Sequence, residues 1–564
     1  MNRSLRKTKV VFWIFAATAG VLQTWSYRFY IEPDGVNYLD IASAYQRGDW
    51  SAAVNGYWSP LFSWLLAIVQ SLFHPPAYWE STVLHLLNFL AYLFALACFE
   101  FFFGRLLTLL RARFPDAVGD DGMPEWIWWV FGYTAFLLAA LRHITLSMDT
   151  PDMVLAALLF LSTGLLIQLT KSQNGILHQV AFGAVLGAAY LTKSVMFPLS
   201  SAYLFTNLFR RGRLEKPDLR GLIALVMFVL VSSPFVITLS RAKGHLTFGE
   251  AGKIAYFTLV SGPLSSGGFG GGQLLHPIRQ LFDRPTVYEY VSPLPGTYPP
   301  WHDESYWYEG AMLHFDLHDQ FRATARAAAS YFRILSLEKE WIAGWLVLAI
   351  FAGDWRDYAK RWLQLWFLWL PSLGMLAVYS LMLVEPRYVA VALSIVWISL
   401  FAALPWSRIN VARRLGMSVF LAMGITTGTA LVREEIPNLT SCLRPAAHVQ
   451  WMVGQRLREM NLAPGDRVAV LGHTTIADYW ARLAGLKVVA DVPLEALESY
   501  WTASPERRAD ISSSLRALGV KAIVSGTRPL ILSGWQSLGD TGYYVQVLAD
   551  PSGADRTPPA PVVR

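Results

Sequence analysis

Apolar runs recur along most of this chain, at residues 10–26, 79–104, 126–142, 151–170, 176–192, 194–209, 219–240, 341–353, 362–384, 388–405 and 415–432. About 20 apolar residues in a helix span the hydrocarbon of a bilayer. No water there satisfies backbone groups, so the runs predict an α-helical polytopic membrane protein. Composition agrees: 54% of the 564 residues are hydrophobic and 15% charged, more apolar surface than a water-soluble fold hides. Many of the 23 Trp fall at run ends, as an interfacial belt requires. The formal charge of +7 is no nucleic-acid footprint, because the basic residues cluster in short loops between runs. No nucleic-acid partner is expected. Cys98, inside a run, and Cys442, near a domain start, are not expected to pair. The basic start and Ala17-Thr18-Ala19 imitate a cleavable signal, but the apolar run continues to Trp25. A retained anchor is expected.

A further run, WSPLFSWLLAIVQSLF at 58–73, decides which side everything after it occupies. Lys and Arg concentrate in cytoplasmic loops. If the N-terminus is cytoplasmic and 58–73 does not cross, the inner loops hold the basic residues from Arg3 to Arg414, and the short outer loops only Arg142, Lys193 and Arg387. If 58–73 crosses, most of those charges move outside. It is therefore read as a juxtamembrane or re-entrant helix beside eleven spans. The loops EPDG, SMDTPD, LTKS and VEPRY then share the outer face of a plasma (inner) membrane, with residues 241–340 and everything from Arg433.

After the last span the composition becomes that of a soluble domain. DRVAVLG, LKVVADV and VKAIVSG alternate with amphipathic stretches, which predicts a small parallel α/β layer. No G-x-G-x-x-G follows its first strand, so dinucleotide binding has no support. His473, at a strand exit, reads as structural. The expected division is a transmembrane module at 1–240 with a first outer loop at 27–78, a long outer loop at 241–340, C-terminal membrane helices at 341–432, an α/β domain at 433–550, and a disordered end at 551–564.

Ionisable groups beside a membrane are functional candidates by default. In YIEPDGVNYLDIA, Glu32 and Asp34 stand at the mouth of the first helix. Asp34 reads equally as the N-cap of a following helix or as a general base where a lipid-borne substrate meets water. Asp149 and Asp152, in SMDTPD, have the same two readings, since carboxylates suit a helix N-terminus. Arg142 and His143 lie just before them and could support such a site. Lys193 sits between two apolar helices with almost no loop to solvate it, and either snorkels or meets a phosphate. Arg387 either pairs with Glu385 or grips phosphate by two parallel hydrogen bonds, with Tyr388 beside it. The glycine-rich SSGGFGGGQ at 265–273 lacks the ending of a phosphate loop and reads as a mobile flap. No histidine spacing matches a known metal motif. A divalent metal is left open, with His302-Asp303-Glu304 and the segment HFDLHD at 314–319 as its candidates.

EPDGVNYLDIA, then YWSPLFSWLLA, DTPDMVLAALLFL and AYLTKS, resemble bacterial GT-C glycosyltransferases, and more narrowly the protein mannosyltransferase and aminoarabinose transferase superfamily. The resemblance covers roughly residues 1–240, and EPRY at 385–388 adds a later anchor. It implies a catalytic base at Asp34, a second acidic position at Asp149 or Asp152, and a sugar donor carried on polyprenyl phosphate. It implies hexosyl or pentosyl transfer to a lipid, glycan or protein acceptor, among membrane lipids. Metal-binding residues of some branches have no counterpart that can be placed here. The rival reading is a transporter or flippase of a lipid-linked sugar. It would need ionisable groups at mid-depth, whereas these spans are nearly free of charge.

Overall fold

The computed structural model describes residues 3–119, 122–170, 175–209, 217–261, 278–291, 294–304, 313–406, 412–443, 447–473, 479–531 and 533–548. The glycine-rich 265–273, His276, the His473 side chain and the 551–564 end lie outside them.

Helices occupy each apolar run, because a run of side chains without polar competition satisfies its backbone within one helix. Five are long and apolar enough to cross a membrane: Ala77–Arg113, Glu125–Ile144, Asp152–Leu169, Gly221–Lys243 and Arg413–Thr440. Trp355–Gln364 and Trp366–Ser380, bent by 80°, count as a sixth if they form one span. Ile176–Thr192 and Pro386–Ala402 are apolar but shorter. Length and apolarity thus support five or six spans among the described residues, fewer than the eleven expected. The run at 58–73 forms the helix Pro60–Phe73, 14 residues long. At 1.5 Å per residue it reaches about 21 Å, short of a perpendicular crossing of about 30 Å.

The membrane core is aromatic. Phe99 and Phe102 of the helix Glu80–Arg113 pack on Phe160 of Asp152–Leu169, and Phe99 also meets Phe136. Gly164 permits this closeness, since a Cβ there would lie 2.6 Å from the Phe101 ring. Beyond the bundle sits one seven-stranded sheet in the order β1-β2-β4-β3-β5-β7-β6. Its strands are β1 (Ile278–Asp283), β2 (Thr286–Tyr290), β3 (Arg467–His473), β4 (Lys487–Pro493), β5 (Val520–Ser525), β6 (Gln536–Ser537) and β7 (Tyr544–Val547). The centre β4-β3-β5 is parallel, as alternating strands and helices predict, and the outer pairs are antiparallel. The β1-β2 hairpin comes from the long 241–340 loop and adds to β4 through Tyr288 opposite Asp491. That loop and the C-terminal region therefore build one sheet.

A buried ionic cluster fastens the sheet domain to the bundle. Arg482 donates to Asp40 Oδ1 (2.5 Å), to Glu80 Oε1 (2.7 Å) and Oε2 (3.0 Å), and to Ser43 Oγ (3.0 Å). The Thr297 N–H donates to Asp40 Oδ2 at 2.6 Å. Burial opposes the Asp40 charge, yet Arg482 and these hydrogen bonds hold its carboxyl below the usual range. Asp40 lies on the helix Pro33–Arg47, so the domain grips the element that begins at the first acidic motif.

Candidate active site

Four chain segments converge where EPDG, SMDTPD, LTKS and VEPRY meet. The helix Pro33–Arg47 starts with proline in its first turn, where a missing N–H costs nothing, and Asp34 follows at once. Its N-cap, Glu32, makes no side-chain cap; the carboxylate receives a hydrogen bond from the exposed Tyr30 hydroxyl instead. Asp149 supplies an acceptor from outside the helix, taking the Glu32 N–H at 2.9 Å. Among the described residues its other oxygen meets no hydrogen-bond partner, and the side chain is fully buried. Burial, with Asp34 and Glu32 nearby, pushes its carboxyl well above the ordinary range. Gly35 makes this approach possible, because a Cβ there would stand 2.0 Å from Asp149 Oδ2.

Asp152 takes the opposite environment. It opens the helix Asp152–Leu169, accepts from the Thr150 hydroxyl at 2.6 Å, and forms an ion pair with Lys193. Arg387 stands between two carboxylates, 3.6 Å from Asp152 and 3.9 Å from Asp34. The Tyr388 ring lies under both cations, 4.1 Å from Lys193 Nζ and 5.0 Å from the Arg387 guanidinium. Two carboxylates and two cations thus share one corner with no net formal charge.

That corner is the polar end of a cavity of about 710 Å³. Asp34, Asp152, Lys193, Arg387 and Tyr388 line it, with Tyr38, Tyr57 and Thr150. The remaining wall is largely apolar, from Val195 and Pro198 to Ile254, Val378 and Leu381. Asp34 keeps 26% of its side-chain surface exposed. Burial raises its carboxyl from 3.8 to about 6, against the pull of Arg387 and Lys193. Such a carboxyl is poised to take up a proton near neutral pH.

Of the other candidates, Asp149 lies behind the cavity wall. Glu32 and Glu385 each precede a helix that reaches the cavity and do not line it. Arg142 pairs with Glu434 at 3.0 Å, and His143 with buried Glu338 at 2.8 Å, both outside the lining. The metal candidates diverge. His302 Nε2 lies 3.0 Å from the Ala52 carbonyl, Glu304 pairs with Lys243, and His314 and His318 face solvent. Among the described residues no group of three His, Cys, Asp or Glu side chains could hold a metal ion.

Tyr57 and Lys253, neither of them a candidate from the sequence, also line the cavity. Asn55 holds the turn before Tyr57 by accepting the N–H groups of Tyr57 (2.8 Å) and Trp58 (3.0 Å). Asn-Gly-Tyr-Trp-Ser-Pro ahead of a helix was the available signal, an aromatic pair held between two turn formers.

The chain is thus a helical membrane bundle with a small α/β domain, beside a cavity charged at one end. No protein-family model matches the chain, and no curated protein matches it. Solved structures do. Over 96% of its length the chain is similar to ArnT from Cupriavidus metallidurans in the apo state, with a TM-score of 0.50, 14% identity and 100% of that chain covered. The same protein bound to undecaprenyl phosphate gives a TM-score of 0.51 at 14% identity, covering 96% of this chain and 99% of that one. An Archaeoglobus fulgidus oligosaccharyltransferase, solved with zinc and sulfate, gives 0.47 at 14% identity, over 91% of this chain and 67% of the other.

Proposed function

We propose that this chain is a membrane glycosyltransferase that moves a hexosyl or pentosyl group from a polyprenyl-phosphate donor to an acceptor hydroxyl or amine. The observation that carries the reading is the cavity itself, with Asp34, Asp152, Lys193 and Arg387 at one end and apolar wall beyond. A lipid-linked phosphate has the same division, one anionic head on a long apolar tail. The fold shared with ArnT, which has been solved bound to undecaprenyl phosphate, supports this donor class.

In this mechanism Asp34 accepts the proton of the acceptor as its oxygen or nitrogen attacks the anomeric carbon, most simply with inversion. The bond from that carbon to the phosphate oxygen breaks, and the phosphate leaves as an anion. Lys193 and Arg387 stabilise the charge that develops on it. No acid is needed, because phosphate is already a good leaving group. Asp152 holds both cations in place, and Asp149 holds the start of the Asp34 helix. Eleven crossings, a cytoplasmic N-terminus and a periplasmic cavity and α/β domain complete the reading; the scarcity of basic residues beside the cavity loops supports that orientation.

Reconstitution with labelled polyprenyl-phosphate sugars tests it. A new glycosidic bond is expected with a lipid, glycan or protein acceptor. Movement of the labelled lipid between leaflets without bond formation would replace the enzyme by a transporter. Cysteine accessibility that puts residues 34 and 149 in different aqueous compartments would end the shared-face topology.

A further inference from the structure

The helix Leu317–Leu337 carries three stripes rather than two. At about 100° per residue, Ala323, Ala327 and Ile334 form one stripe, which is buried against the bundle. Leu317, Phe321 and Phe332 lie within about 60° of one another on a second stripe, far round the helix from the first. Phe321 is 71% and Phe332 76% exposed, a large apolar loss if water covered them. Arg322, Arg326 and Arg333 form the third stripe, about 120° from the phenylalanines. All three arginines belong to exposed residues.

Two further facts locate this helix. Its last residue is followed by Glu338 and then by the apolar helix Lys339–Ala352, which fills the apolar run at 341–353, so its C-terminal end adjoins an apolar helix of 14 residues. It also ties together two walls of the cavity. Gln320 accepts a hydrogen bond from Tyr256 Oη (3.1 Å) and donates to the Leu381 carbonyl (3.0 Å). Arg326 donates to the Leu259 carbonyl, and Tyr331 to the Leu376 carbonyl at 2.8 Å. Tyr256, Leu259 and Leu381 all line the cavity.

We propose that the helix Leu317–Leu337 lies in the membrane interface as a strap across the cavity, its Phe321/Phe332 stripe seated in acyl chains and its arginine stripe on anionic phospholipid headgroups. The exposed phenylalanines need an apolar cover. The adjoining apolar helix, whose run is read from the sequence as entering the bilayer, brings one within reach, and guanidinium groups match phosphate at headgroup level. A strap seated in lipid fixes the two cavity walls relative to the membrane plane, where a lipid-borne substrate must enter. The inference needs only a membrane-embedded chain and stands apart from the transfer reaction.

Full-length protein with Cys98→Ser and Cys442→Ser tests it in nanodiscs of phosphatidylcholine with or without phosphatidylglycerol. Nitroxides are placed singly through Phe321→Cys, Phe332→Cys, Arg322→Cys and Arg333→Cys. These side chains are exposed, so the labels leave the packed stripe intact. At 321 and 332, oxygen is expected to relax the spin more than a water-soluble nickel complex does; at 322 and 333 the order reverses. Phosphatidylglycerol should deepen the labels at 321 and 332, and Arg322→Ala with Arg333→Ala should abolish that deepening. Nickel reaching all four positions alike would put the helix in water. Neither reagent reaching 321 or 332 would mean that protein covers the stripe. Either result overturns the proposal, and depth independent of phosphatidylglycerol removes its anionic-lipid component.

Discussion

Asp34→Asn is expected to remove activity without removing stability. Burial lifts this carboxyl from 3.8 to about 6 even though Arg387 and Lys193 oppose the change. An acid with a folded pKa above its unfolded value binds its proton more tightly in the native state. Stability is therefore lost as pH rises through that interval. Below 3.8 folded and unfolded chains are both protonated, and the group contributes no difference. Above about 6 the native state carries the whole cost of the buried charge, at most about 3 kcal/mol for a shift of about two units. Asparagine has nearly the same shape and no charge to bury. The variant should match or exceed wild-type stability at pH 8, by up to that amount, and lose its advantage towards pH 4. Turnover should fall about 10²–10⁴-fold, the usual effect of losing a positioned base. Wild-type turnover should also decline about tenfold per pH unit below pH 6, while the variant's residual rate stays flat. Thermal unfolding from pH 4.5 to 8, beside transfer of a labelled donor, measures both. An unfolding midpoint at pH 8 clearly below wild type would make Asp34 a structural residue of the helix's first turn. Retained turnover would move the base elsewhere.

Three other substitutions probe the surroundings of Asp34. Lys193→Met leaves buried Asp152 with the Thr150 hydroxyl and, as counter-charge, the more distant Arg387 at 3.6 Å, at a cost of about 3–5 kcal/mol. Adding Asp152→Asn should restore the unfolding midpoint but not donor binding, and recovery of both would exclude Lys193 from the donor site. Gly35→Ala puts a methyl 2.0 Å from Asp149 Oδ2 and should cost about 1–3 kcal/mol in a thermal melt. A melt unchanged from wild type would mean that the Asp149 contact is loose. Arg482→Ala strands Asp40 and Glu80 and should cost about 3–5 kcal/mol. Limited proteolysis should then release the sheet domain, and a digest unchanged from wild type would mean that other contacts hold it.

What the sequence made legible follows from how locally each signal is written. Apolar runs define their own helices, and β3, β4 and β5 each stand out as short apolar segments with turn residues after them. The β1-β2 hairpin did not, because its partner β4 lies about 200 residues later and nothing in QLFDRPTVYEY names that neighbour. Isolated charges were visible for the same local reason: Asp34, Lys193 and Arg387 stand against apolar backgrounds. Their partners were not. Arg142 meets Glu434 and His143 meets Glu338 across distant helices, a pairing that only the packed bundle creates. The sharpest case is the pair in SMDTPD. Asp149 and Asp152 are three residues apart at one helix start, and every sequence rule treats them alike. The fold separates them by what faces each. Gly35, lacking a side chain, lets the opposite helix close over Asp149, so that carboxyl takes the Glu32 backbone N–H. Asp152 lies one turn further on, opposite Lys193 and Arg387, and opens on the cavity. Two equal carboxylates thereby acquire different chemistry, one a backbone anchor and the other a counter-ion. The division depends on a glycine more than 110 residues earlier in the chain.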